Sequence, residues 1–225
     1  RGLAVHLSTQ ASVSNSRSII RYFRNDGIRR FVLARECSLE HVHTIRSSLL
    51  AELGDDAEKI ELEVFIHGAM CVSVSGRCFM SESVTGDSGN RGECLQPCRR
   101  EYRIIDVEGE YEFDIGRGYV LSPKDLCTMP FLEKILTSGV HSLKIEGRMK
   151  SPAYVAVVTN AYRQAIDGTL HDEADAIRRI MTVFSRETTH AYLLKEGYRQ
   201  TNKSTKHQGK AAEMINPSYP ANIGS

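Results

Sequence analysis

The sequence lacks several features that would assign it to a broad class at once. It has no run of about 18 apolar residues, the length that a membrane-spanning helix needs, and no recognisable signal peptide. Its formal net charge is only +1 at pH 7, so no global excess of charge indicates nucleic acid or a membrane surface as a partner. We therefore expect a cytoplasmic protein without a membrane segment, in which any basic surface is local.

The common devices of hydrolases are missing as well. The chain contains no H-E-x-x-H zinc-protease motif and no G-x-S-x-G nucleophile elbow. No glycine-rich phosphate loop precedes a helix pattern. Any chemistry must therefore come from other residues, and the cysteines and the polar ends of strands are the candidates.

Strand and helix patterns alternate through most of the 225 residues. Because the strand patterns begin at the spacing of βαβ units, about 30 residues, they predict a parallel sheet. Strands are predicted at residues 3–7, 30–34, 61–66 and 142–145, and helices at 14–25 (capped by Ser14), 38–53 (capped by Ser38), 124–136, 151–166 and 173–184. Four such strands would form half of a (β/α)8 barrel, which needs eight.

This pattern is interrupted by a cysteine-rich insertion at residues 68–122, with short β patterns at 102–105 and 111–115. We expect residues 1–185 to form the partial barrel with this insertion. Residues 186–225 would be a connector to a further C-terminal β domain, with an extended stretch at 216–220. The chain opens on Arg1 rather than Met and enters a strand pattern almost at once, so we expect a piece of a longer protein.

Four of the six cysteines lie close together along the chain, in the pattern C-x6-C-x15-C-x3-C formed by Cys71, Cys78, Cys94 and Cys98. Four thiolates suit an iron–sulfur cluster or a structural zinc ion. The spacing is typical neither of a zinc ribbon nor of a ferredoxin, so both metals and a metal-free site stay open. We expect the four sulfurs to share one centre. Cys127 is either a buried helix cysteine or a reserve ligand, and Cys37 is structural.

Polar side chains on two predicted strands form the second candidate site. If side chains alternate along each strand, Glu63 and His67 share one face of the third strand, and Lys144, Glu146 and Arg148 share one face of the fourth. Active sites of such barrels lie at the C-terminal strand ends, so we expect these five side chains to line one pocket. The alternative is a set of structural salt bridges, such as Lys144 with Glu63 or Glu146.

Arginines surround the cysteines in the sequence. They are Arg77, Arg91, Arg99, Arg100 and Arg103. Such a set suits contacts with nucleic-acid phosphates, and the alternative is an ordinary solvated surface.

Several segments together resemble the collagenase-like peptidase family, which is family 32 of the peptidases of unknown catalytic type. The matching segments are residues 63–71 (EVFIHGAMC), 75–78 (SGRC), 90–99 (NRGECLQPCR), 122–126 (SPKDL), 142–148 (SLKIEGR), 7–11 (LSTQA) and 32–36 (VLARE). The similarity extends from about residue 2 to about residue 185.

The resemblance implies a TIM-like barrel, of which this chain would hold the C-terminal half. It also implies a 4Fe–4S cluster, with Cys71, Cys78 and Cys94 as ligands and Cys98, or failing that Cys127, as the fourth. Members of the family resemble oxygen-independent hydroxylation factors acting on a tRNA wobble uridine, with prephenate implicated, on a ribosomal RNA cytidine or on ubiquinone precursors. Older members were described as collagenases.

Three functions follow as hypotheses. The first is an iron–sulfur protein of tRNA or rRNA hydroxylation, in which Arg148 and Lys144 bind a small anionic donor and Glu146 or His67 moves protons. The second is a peptidase. The third is a zinc-stapled RNA-binding module without catalysis.

Overall fold

The computed structural model describes residues 3–109, 111–114, 118–184 and 186–194. The strands are β1 (His6–Leu7), β2 (Arg30–Val32), β3 (Glu61–Ala69), β4 (Ile104–Asp106), β5 (Tyr111–Phe113), β6 (Asp125–Cys127), β7 (Ser142–Ile145) and β8 (Thr188–Thr189). The helices are α1 (Ser16–Asp26), α2 (Leu39–Leu53), α3 (Met80–Thr85), α4 (Leu132–Leu136), α5 (Pro152–Ile166) and α6 (Glu173–Val183). The predicted connector at 216–220 lies outside the described residues.

The central sheet is mostly parallel. Strands β1, β2, β3 and β7 are neighbours in that order and all run parallel. Strand β6 pairs antiparallel with the last residues of β3, and β8 pairs parallel with β6. The α/β class and the four predicted parallel strands are confirmed. Closure into a barrel is not seen among the described residues, so the half-barrel stays a prediction.

Local signals explain where the helices start and stop. The Ser38 hydroxyl accepts a hydrogen bond from the main-chain N–H of His41 at the start of α2, as predicted. Helix α1 is capped by Asn15 rather than by the predicted Ser14, since the Asn15 side chain accepts from the N–H of Ser18. Pro152 lies in the first turn of α5, where its missing N–H costs no helical hydrogen bond.

The predicted helix at 124–136 is wrong in its first half. Residues Asp125–Cys127 form the buried strand β6, and only Leu132–Leu136 are helical. Pairing with β3 gives the main chain of β6 its hydrogen-bond partners. Pro130 in the turn between them cannot donate a hydrogen bond within a longer helix. Strand β8 was not predicted either, because its two residues stand in a polar stretch without an apolar pattern.

A register shift in β3 separates its two halves. The residues of β7 pair in step with Glu63 and Phe65, but Ile145 then pairs with His67, so one residue of β3 is extra. The next residue, Gly68, has φ of +103°, and a Cβ there would overlap the carbonyl oxygen of Glu146. The bulge thus needs a glycine both for its backbone angle and for the close approach of the chain after β7.

We predict that Gly68→Ala destabilises the fold by more than the cost of placing an alanine at a positive φ. Gly86→Ala is the matched control, since Gly86 has φ of +84° and an added methyl group there would have no other atom within 4 Å. The control should lower the free energy of unfolding by about 1 kcal/mol, and Gly68→Ala by roughly 3 kcal/mol or more, because main chain must also move. Denaturant titration measures both. Equal losses would show that the contact with Glu146 is unimportant.

Candidate metal centre in a cysteine-lined cavity

The four clustered cysteines lie around a single cavity. Cys71, Cys78, Cys94 and Cys98 all line a space of about 120 Å³ next to the end of β3. All four are free thiols and partly buried. The whole predicted ligand set therefore lies in one place, which we call the cysteine cavity.

The first two cysteines belong to a loop that is fixed to the neighbouring strands. A Cβ on Gly76 would overlap the carbonyl oxygen of Gln10, so this loop lies directly against the segment after β1. The Ser75 hydroxyl accepts from the N–H of Arg35 at 3.1 Å, and the Ser75 N–H donates to Glu36 Oε1 at 2.9 Å. The loop is thereby held on the chain that follows β2.

The segment around Cys98 is held by Arg99. Its guanidinium donates to Ser122 Oγ at 2.8 Å and to the carbonyls of Pro123 and Met70. These bonds tie the segment around Cys98 to the chain after β3. Arg99 therefore has a structural role and is not free for phosphates. Of the other arginines considered for such contacts, Arg103 pairs with Glu112 at 3.2 Å, and Arg77, Arg91 and Arg100 are exposed.

Burial dominates the electrostatics of the thiols. It raises the pKa of Cys71 above its ordinary value, while the charge of Arg35 acts in the opposite direction. Burial likewise raises the pKa of Cys98, against the charge of Arg99, and the three neighbouring cysteines raise it further. The Cys94 sulfur accepts a hydrogen bond from the N–H of Gln96 at 3.3 Å. A thiolate at Cys71 or Cys98 thus needs a positive partner to offset the lost hydration.

The sulfurs are not gathered around one ion. Within the described residues, no group of three or more His, Cys, Asp or Glu side chains is arranged to hold a single metal ion. The four cysteines line one cavity, and the expectation that their sulfurs share one centre stays a prediction.

Cys127 lies away from the cavity. It is buried in β6 beneath helix α5, with its sulfur 4.0 Å from the hydroxyl of Tyr162, and it does not line the cysteine cavity. It is a strand cysteine rather than the predicted helix cysteine. Its position leaves Cys98 as the better placed fourth ligand.

Two of the five predicted pocket residues also line the cysteine cavity. These are Glu146 and Arg148, in the chain just after β7. Glu146 Oε1 accepts from the main-chain N–H of Arg148 at 2.9 Å, and the Arg148 guanidinium donates to the carbonyl of Gly92 at 2.9 Å. The pair brings a carboxylate and a guanidinium to the thiols.

Glu63 and Lys144 form a separate group on the sheet. Lys144 Nζ lies 3.4 Å from Glu63 Oε1, and the Ser142 hydroxyl donates to Glu63 Oε2 at 2.7 Å. Neither Glu63 nor Lys144 lines the cysteine cavity. For these two residues the structure shows the alternative that the sequence left open, a structural salt bridge.

His67 is placed differently from the prediction. It is 3% exposed, its Nδ1 lies 3.2 Å from the Tyr162 hydroxyl, and its ring contacts those of Tyr154 and Tyr162 on α5. The prediction that His67 shares a face with Glu63 is wrong, because the bulge before it interrupts the alternation of side chains. Burial lowers its pKa to about 4, so this histidine is neutral at pH 7.

Sequence reasoning missed Arg35 and a buried charge cluster. Arg35 lines the cysteine cavity, and the only sequence signal was its place in a segment that resembles the family. The cluster joins Asp125 to Arg186 at 2.8 Å and to Lys150 at 4.0 Å. Burial lowers the pKa of Lys150 to about 8, and its ammonium lies over the ring of Phe184. No pattern predicted this cluster, since its members lie on three separate segments.

Comparison with known proteins assigns the chain to a family. The model of peptidase family U32 matches residues 1–203. This chain belongs to peptidase family U32. The assignment confirms the resemblance drawn from the cysteine segments and from the segments after β2 and around β7.

The family relatives carry two kinds of name. A collagenase of Porphyromonas gingivalis is 39% identical over 201 residues, covering 86% of this chain and 48% of the relative. The tRNA hydroxylation protein P1 of Bacillus subtilis is 40% identical over 172 residues, covering 75% and 38%. The 23S rRNA 5-hydroxycytidine C2501 synthase of Escherichia coli is 32% identical over 217 residues, covering 95% and 29%. The chain thus spans about half, or less, of the length of these relatives.

No solved structure matches the chain significantly. Among the described residues, no helix has both the length and the apolar character needed to cross a membrane.

The burial of His67 predicts a specific dependence of stability on pH. The unfolded chain takes up a proton on this histidine below about pH 6.5, whereas the folded protein does so only near pH 4. Stability from the neutral ring is therefore complete above pH 6.5 and is lost as the pH falls towards 4. The loss should amount to about 3 kcal/mol.

Unfolding in denaturant at several pH values, with His67→Gln beside the wild type, measures this contribution. The difference in unfolding free energy between the two proteins should shrink between pH 6.5 and pH 4 and stay constant above pH 7. A difference that does not change with pH would contradict the burial of a neutral imidazole.

Proposed function

We propose that the protein is an iron–sulfur protein of oxygen-independent RNA hydroxylation. The observation that carries the proposal is the convergence of four thiols, Glu146 and Arg148 on one cavity. Relatives named as tRNA hydroxylation protein P1 and as an rRNA 5-hydroxycytidine synthase support the reaction class. The finer proposal is hydroxylation of a tRNA wobble uridine with prephenate as co-substrate.

The residues present fit a 4Fe–4S cluster. Such clusters are held by four cysteine thiolates, and hydrogen bonds to the sulfurs tune their potential. Cys71, Cys78, Cys94 and Cys98 supply the thiols, and the Gln96 N–H already donates to Cys94. The four cysteines would hold the cluster through their thiolates, from the walls of the cavity that they line. When bound, it would supply one-electron redox chemistry.

The chain's own polar groups divide into those that face the cavity and those that do not. Glu146 is the candidate for moving a proton, because its carboxylate lines the cavity and is oriented by the N–H of Arg148. Arg148 is positioned to orient a ligand. Lys144 is paired with Glu63, and His67 is enclosed by the tyrosines of α5. We therefore assign these last three residues structural roles.

A peptidase is the second candidate function, and the names of relatives support it. One is a collagenase, and another is an uncharacterized protease of Methanocaldococcus jannaschii, 39% identical over 192 residues. The cavity offers little for such a reaction, since no histidine is found among the described residues that line it. Neither Ser75 nor a cavity cysteine therefore has the neighbouring imidazole base that activates most such nucleophiles.

A zinc-stapled RNA-binding module is the third candidate. It would use the same four thiols with a different metal, so the bound metal separates it from the leading proposal. A colourless protein with one tightly held zinc ion would favour this third candidate over the iron–sulfur proposal.

We predict that the full-length protein, purified without oxygen, is brown and contains iron and sulfide in near-equal amounts. Removal of Cys71, Cys94 or Cys98 by substitution with alanine should abolish the colour, because each would remove a cluster ligand. Cys127→Ala and Cys37→Ala are the matched controls and should keep it, since neither residue lines the cavity. Loss of colour in Cys127→Ala but not in Cys98→Ala would reverse the assignment of the fourth ligand.

A second experiment separates RNA hydroxylation from proteolysis. In cells that lack the endogenous protein, the full-length wild type should restore hydroxylated nucleosides in tRNA, measured by mass spectrometry of digested RNA. Glu146→Gln should restore roughly a hundredth or less of that amount, the usual contribution of a proton-transferring group. Cleavage of gelatin by the purified wild type, with no change in the RNA, would support the peptidase instead.

A further inference from the structure

Three arginines line the cysteine cavity, and they differ in their partners. Arg99 donates to a serine hydroxyl and to two main-chain carbonyls. Arg148 donates to the carbonyl of Gly92. For Arg35, no carboxylate among the described residues forms an ion pair, and its buried Nε has no hydrogen-bond partner there. One guanidinium in the cavity thus keeps a donor without an acceptor in the described part of the chain.

Packing holds the Arg35 guanidinium in place. Its central carbon lies 4.3 Å from the centre of the Phe65 ring, in a cation–π contact. The main-chain N–H of Arg35 donates to Ser75 Oγ. Phe65 of β3 and the cysteine loop therefore hold Arg35 in place, and the residue is one of those that line the cysteine cavity.

We propose that Arg35 is an oxyanion-binding residue of the cysteine cavity, and that its ligand is a small molecule carrying a carboxylate or phosphate group. A guanidinium is a planar set of donors that matches such groups. The side-chain amides of Gln10, Asn90 and Gln96 line the same cavity and supply further polar groups. The space of about 120 Å³ admits part of a small molecule.

This inference deepens the proposed function and rests on it for the use that the ligand would have. Arg35, rather than Lys144, then has the anion-binding role, because the charge of Lys144 is already paired with Glu63. The oxyanion would lie beside the thiols and the carboxylate of Glu146, where a co-substrate has to bind to meet both the metal centre and a proton acceptor.

Calorimetric titration of the full-length protein, purified without oxygen, tests the site with two probes, malonate and inorganic phosphate, at constant ionic strength. Wild type should bind at least one of them, and the better probe distinguishes a carboxylate from a phosphate ligand. Arg35→Gln should weaken that binding roughly tenfold or more, because a charged hydrogen-bond donor is lost. Arg35→Lys keeps the positive charge but loses the planar set of guanidinium donors, and should weaken binding of the probe by a smaller, measurable factor.

Arg21→Gln is the matched control, since it removes the same charge from the exposed part of α1 and should leave both affinities unchanged. Circular dichroism verifies folding, and if Arg35→Gln does not fold, the lysine variant decides. Equal affinities in wild type and the Arg35 variants, or no binding of either probe to wild type, would overturn the inference. Iron is measured in every sample, so a failure of the cluster proposal is recognised separately from a failure of the oxyanion site.

Discussion

The bulge in β3 is the constraint on which the rest of the structure depends. One extra residue between Phe65 and His67 reverses the side-chain alternation, so Phe65 lies under Arg35 while His67 lies under α5. The left-handed backbone of Gly68 then lets the chain after β7 approach closely. Glu146 and Cys71, which follows the end of β3, both line the cavity. The same irregularity therefore creates the core contact of the histidine and one wall of the cavity.

A second feature of the cavity is that positive side chains compensate for negative charge on the thiols. Burial raises the pKa of two of the four thiols, Cys71 and Cys98. Positive groups are placed around them, with Arg99 fixed by internal hydrogen bonds and the Nε of Arg35 without an acceptor in the described part of the chain. The site is suited to hold negative charge, both on deprotonated cysteines and on a ligand.

Short-range signals predicted what depends on them, namely the helix that Ser38 caps, the four parallel strands and the cysteines that share one cavity. What failed depends on long-range pairing. The segment at Asp125 has a helix-like pattern, yet it forms a strand because its main chain pairs with β3. A regular alternation of side chains along β3 would place His67 on the same face as Glu63. A single sequence gives no sign of the bulge that interrupts this alternation. Arg35 was missed for a related reason, since only folding brings it to the cysteines.

The most direct test of the account is the position of iron in crystals of the full-length protein grown without oxygen. Anomalous diffraction measured on both sides of the iron absorption edge locates iron without assumptions about the ligands. The account predicts one compact iron peak inside the cavity bounded by Cys71, Cys78, Cys94 and Cys98, with Glu146 and Arg35 on its rim. A peak beside Cys127, or a cavity that holds zinc and no iron, would contradict it.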